Sequence, residues 1–78
     1  MNTQATLATL KKAHALQWER YSLQKVADQI KLSLVDMQQR GQSRNIPALQ
    51  KVELELAVEI ALLGAEVKKL MAGVQHAL

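Results

Sequence analysis

The stretch from Leu49 to Val67, LQKVELELAVEIALLGAEV, places an apolar residue on almost every side of a helix. A surface helix of a small globular protein needs only one apolar stripe, about 100° wide or somewhat more, to face its core. The opposite side therefore calls for a second contact. A chain of 78 residues offers little to supply it, because folding alone buries only about 60 to 65% of the unfolded surface at this size. No cysteine is present to form a disulfide and no Cys/His cluster to hold a structural metal. Packing and association are what remain to stabilise so small a fold. The lack of cysteine also fits a reducing compartment.

The remaining residues are mostly helix formers, with a single proline and no alternating β-branched run, which predicts an all-α fold and one helical domain over 1–78. The strong break is Gly41-Gln-Ser-Arg-Asn-Ile-Pro47. Gly41 suits the left-handed residue just past a helix end, and Pro47 suits the first turn of the next helix. Ile46 is pushed toward an extended conformation by the proline after it. So short a connection predicts an antiparallel helical hairpin, with a first helix over 22–40, a turn over 41–47 and a second helix over 47–76.

On an ideal helical wheel Leu16, Leu23, Val26, Ala27, Ile30, Leu34 and Met37 share one sector, and four of them recur every seven residues. They form the expected hairpin seam. Upstream, Leu7, Leu10, His14, Trp18 and Tyr21 fall on the opposite side of the same wheel. One straight helix cannot turn both stripes to a single core. Two expectations follow: a bend near Tyr21-Ser22, with Ser22 capping a new helix after a separate N-terminal helix over 3–20, or a first segment that faces another molecule.

In the second helix, Leu49, Val52, Leu56, Ile60, Leu63, Val67, Leu70, Met71, Val74 and Leu78 make a wide stripe that suits the seam. Leu54, Val58, Ala61, Leu62 and Ala65 are left over and gather on the far side, beside Glu55, Glu59 and Glu66. This surplus patch is the candidate partner-binding surface. Trp18 and Tyr21 join it as residue types that often anchor interfaces; the alternative is that they pack an N-terminal helix back on the hairpin. Gly64 and Gly73 lie inside the periodic pattern, where they are expected to permit close helix contact at a cost of about 1 kcal/mol each.

Several classes of function find no support in the residues. The N-terminus places its positive charges after its apolar residues and does not read as a signal peptide. Glu53, Glu55, Glu59 and Glu66 interrupt the most apolar stretch, and one charge at mid-bilayer already costs about 2.5 to 3.5 kcal/mol, so no membrane span is expected. The net charge is +3, but the ten Lys and Arg residues are spread along the chain, whereas nucleic-acid binding needs a concentrated basic face. His14 and His76 stand alone, without the ligand spacing of a metal site. No phosphate loop, nucleophile elbow or nucleophilic cysteine occurs. A non-enzymatic protein without cofactor or metal is expected.

The stretch SLVDMQQRGQSRNIPALQKVELELAVEIALLG, with an Arg-Gly turn followed by Ala-Leu and an Ala/Leu-rich second helix, resembles the small needle-protein co-chaperones of bacterial type III secretion systems. The resemblance covers about half of the chain. It implies a short N-terminal helix followed by a hairpin. It also implies a cytoplasmic role, in which the hairpin binds a tetratricopeptide-like chaperone and the pair keeps the needle subunit monomeric. Pro47 directly before the Ala-Leu, and the long loop, depart from that pattern. The segment NIPALQKVELELAVEIALL is also similar to the Pro-Ala-Leu turn and second helix of type III needle and inner-rod subunits. A self-associating four-helix bundle that binds RNA is a third expectation, from a different class.

Overall fold

The computed structural model describes residues 3–42 and 44–77. Two helices make up the fold, α1 over Thr3–Gln39 and α2 over Ile46–Ala77. The start of α1 lies beside the end of α2, since Ala5, Thr6 and Thr9 share a groove with Lys69, Leu70, Gly73 and Val74. The helices are thus antiparallel, and the molecule is a rod of 60 × 14 × 13 Å. That length is close to the roughly 55 Å expected of α1 alone at about 1.5 Å per residue.

The hairpin turn follows from Gly41. Its φ of 71° places it in the left-handed region, which glycine enters without a Cβ penalty. The Gly41 amide then donates to the Gln38 carbonyl at 3.3 Å, and the Gln42 amide to the Met37 carbonyl at 2.9 Å. This is the Schellman closure, and it satisfies the carbonyls that the last turn leaves open. An exposed ion pair between Arg40 and Asp36, 3.1 Å long, adds little. The first bond of α2 runs from the Leu49 amide to the Asn45 carbonyl at 3.1 Å. The helix therefore begins at Ile46, one residue before the predicted start at 47. Ile46 is helical and half-buried rather than extended; burial of its side chain in the seam offsets the bias set by Pro47.

Burial on α1 follows alternating steps of three and four residues. Thr6, Thr9, Ala13, Leu16, Leu23, Ala27, Ile30, Leu34 and Met37 are sheltered, and among its described residues the others are exposed. Arg20 holds the one open place in this series. On α2 the same rhythm runs through Ile46, Leu49, Glu53, Leu56, Ile60, Leu63, Val67, Leu70 and Val74. This is the heptad pattern of two helices packed side by side. The seam is thin: Ala13, Ala27, Leu34, Val67 and Val74 are buried, but no described side chain is sealed completely.

The structure corrects several expectations. α1 runs without a bend from Thr3 to Gln39, so there is no separate N-terminal helix over 3–20. Ser22 is not a cap; its hydroxyl donates to the Trp18 carbonyl at 3.0 Å, one turn back inside the helix. Val26 and Val52, placed in the seam from the wheel, are 49% and 41% exposed. Ala27, also expected in the seam, and Glu53, not expected there, hold the adjacent sheltered positions. The cause is the width of the seam: two helices packed side by side shelter only the two heptad positions that face each other, and Val26 and Val52 stand one residue before such positions, on a flank that no third layer covers. Gly64 faces the Arg20 side chain, whose Nη1 would lie 3.0 Å from a Cβ added there, and nothing lies within 4 Å of one added at Gly73. Neither glycine therefore marks a close backbone crossing. Leu78, expected in the seam, lies outside the described residues.

Candidate functional site

Because the hairpin has only two layers, whatever its helices carry away from the seam faces outward. On α2 these are Leu54, Val58 and Leu62, one turn apart and 66%, 54% and 66% exposed, with Ala61 and Ala65 exposed beside them. Large side chains at i, i+4 and i+8 with small residues between make a ridge flanked by shallow holes. Such a shape is one that the ridges and grooves of another helix can match. Of the neighbouring acids, Glu55 and Glu59 are exposed and Glu66 is half-buried.

Trp18 and Tyr21 lie on the other helix and belong to a different arrangement. The Trp18 indole Nε1–H donates to His14 Nε2 at 2.9 Å. Their rings meet edge to face with centroids 6.3 Å apart, and Trp18 meets Tyr21 the same way at 5.9 Å. Lys25 Nζ stands 4.8 Å from the centre of the Tyr21 ring. Edge-to-face rings and a cation over a ring are each favourable, typically by about 0.5 to 1.5 kcal/mol. The cluster is therefore ordered in place, yet Trp18 and Tyr21 remain 58% and 53% exposed. They do not pack α1 back on the hairpin. Leu7 and Leu10 are exposed as well, at 51% and 38%.

The two surfaces touch at one margin. Tyr21 borders a shallow trough with Gln17, Arg20, Gln24 and Ile60. The trough continues past Gln24 and Ile60 to Ala57, Ala61, Lys31 and Glu53. Tyr21 and Ala61 are thus brought to one open channel, whereas Trp18 and Leu62 are not.

Sequence reasoning stopped the α1 row at Tyr21, but Leu32 and Val35 are also exposed. At about 100° per residue they lie in the same sector as Leu7, Leu10, His14, Trp18 and Tyr21. The signal was the spacing Leu7, His14, Tyr21, Asp28, Val35, a strict seven-residue repeat. Lys25 and Asp28 interrupt its apolar character and hid it. Among the described residues, no group of three or more His, Asp or Glu side chains comes together where it could hold a metal ion. No helix there is long and apolar enough to cross a membrane. Compared with known proteins, the chain matches no family model, no curated protein and no solved structure.

Proposed function

We propose that the protein is a small non-catalytic interaction module that docks another helical protein on the outer face of α2. The observation that carries this reading is the exposed ridge of Leu54, Val58 and Leu62 on a helix whose other side is already committed to the seam. Burying one such side chain against a partner contributes about 1.5 to 3 kcal/mol. Three together are enough to anchor helix-in-groove recognition. On the resemblance of its sequence, the finer reading is a cytoplasmic co-chaperone that binds a tetratricopeptide-like chaperone and helps keep a type III secretion needle subunit monomeric. The test is co-expression with the helical-repeat chaperone of the same cell and isolation of a 1:1 complex. Val58→Glu should keep full helicity by circular dichroism and lose the complex. A variant that folds and still binds refutes docking at this face.

A second reading, a structural subunit of the needle or inner rod, is favoured by the unbroken α1. The short separate helix that the co-chaperone resemblance implies does not precede the hairpin. Fibres formed by the isolated chain would select it.

A further inference from the structure

The outer row of α1 lies on the other helix from the α2 ridge, meets it only at the Tyr21 margin, and has a symmetry of its own. Along a straight helix, height is proportional to residue number, so a two-fold axis through Tyr21 brings each residue level with the one equally far beyond it. Leu7 then meets Val35, Leu10 meets Leu32, His14 meets Asp28, and Tyr21 meets itself. Aliphatic falls on aliphatic at Leu7/Val35 and Leu10/Leu32 and base on acid at His14/Asp28, while at the flanks Trp18 meets Gln24 and Lys25 meets Gln17, each beside the polar end of an uncharged amide. An isologous contact requires this, since residue i must suit j while j suits i.

We propose that this row pairs with the same row of a second copy of the chain, antiparallel, with Tyr21 on the two-fold axis. The hydrogen bonds already present fit His14 and Asp28 for each other. His14 Nε2 accepts from Trp18, which leaves the proton of a neutral ring on Nδ1 as a donor. Asp28 Oδ1 accepts from Gln24 Nε2 at 3.1 Å, and Oδ2 is free to receive the partner copy's imidazole. Lys11 and Lys31, also equidistant from Tyr21, would be a like-charged pair. Both, however, lie about 80° around the helix from Tyr21, outside the row, and Lys31 lines the trough beside Glu53.

The chain exposes 6119 Å², about 1,400 Å² more than the roughly 4,700 Å² of a compact monomer of 8.7 kDa. That excess belongs to the whole two-layer rod, and the α1 row, with Leu7, Leu10, Trp18, Tyr21, Leu32 and Val35 at 38% to 65% exposure, is the part of it that a second copy would cover.

Sedimentation equilibrium of the full chain should give twice the 8.7 kDa of one chain, with the emission of Trp18 shifting to the red on dilution. His14→Glu should weaken the dimer by about tenfold or more, because each end then sets two acids together. The double variant His14→Glu/Asp28→Lys should restore it. Cysteine scanning fixes the register even where a charge variant fails to fold: Tyr21→Cys should cross-link to itself, and Leu7→Cys to Val35→Cys but not to itself. Val58→Glu should leave the dimer intact, which separates this inference from docking on α2. A chain that stays monomeric at millimolar concentration overturns the proposal. So does a Leu7→Cys variant that cross-links to itself, or a dimer lost on Val58→Glu with helicity retained.

Discussion

Leu34→Ala is the sharpest test of the seam. Leu34 is the one large side chain of α1 that is buried, at 8% exposure. The change removes the equivalent of three carbons, worth about 0.8 kcal/mol each by transfer, or roughly 2.4 kcal/mol. In a closed core a cavity term would raise the cost toward 5 kcal/mol. Here the seam is open along both flanks, water or neighbouring side chains can fill the gap, and the cost should stay at about 2 to 3 kcal/mol. At about 4 to 8 °C per kcal/mol for a domain of this size, the melting temperature should fall by roughly 10 to 20 °C. Leu54→Ala, the same chemical change at a position 66% exposed, should move stability by no more than about 0.5 kcal/mol. Both are read from thermal and urea transitions by circular dichroism at one protein concentration. Equal costs at the two positions would refute the assignment of the seam.

Gly73→Ala should stabilise by about 0.5 to 1 kcal/mol, because the site is helical and open and alanine has the better helix propensity. Gly41→Ala should destabilise by about 1 to 2 kcal/mol, since φ there is positive and alanine tolerates it poorly. Ser22→Ala should be neutral or slightly stabilising, as its hydroxyl only back-bonds within the helix. A loss of about 1 kcal/mol, measured by urea unfolding, would instead indicate a true cap.

Much of this hairpin is legible in the residues, because its two strongest signals are local. Gly41 demands a left-handed residue and Pro47 a first turn, and together they fix the break to within a residue or two. Leu16, Leu23, Ile30 and Met37 announce the seam by their seven-residue spacing. The N-terminal half was harder to read, because its seam is made by Thr6, Thr9 and Ala13. These are small or polar residues that a search for large apolar ones passes over. With that half of the seam unseen, the outward row of Leu7, Leu10, Trp18 and Tyr21 looks like a displaced core, and a bend looks necessary. Arg20 adds to the effect, occupying a seam position with a long charged side chain that lies against Gly64. The surplus patch on α2 was legible for the opposite reason: the seam there is Leu, Ile and Val almost throughout, so what it does not use stands out.

The claim on which the rest depends is that α1 is one straight helix, with one face in the seam and the other turned outward. Spin labels can be placed at Ala8→Cys and Asp36→Cys, both exposed positions in a chain without native cysteine. Doubly labelled protein is diluted with unlabelled protein, so that only distances within one chain are read. Electron-electron double resonance should give a single distance near 42 Å, set by about 1.5 Å per residue along an unbroken helix. A distribution centred below about 30 Å would mean that the chain folds back near Tyr21, contradicting the straight helix and the outward row built on it.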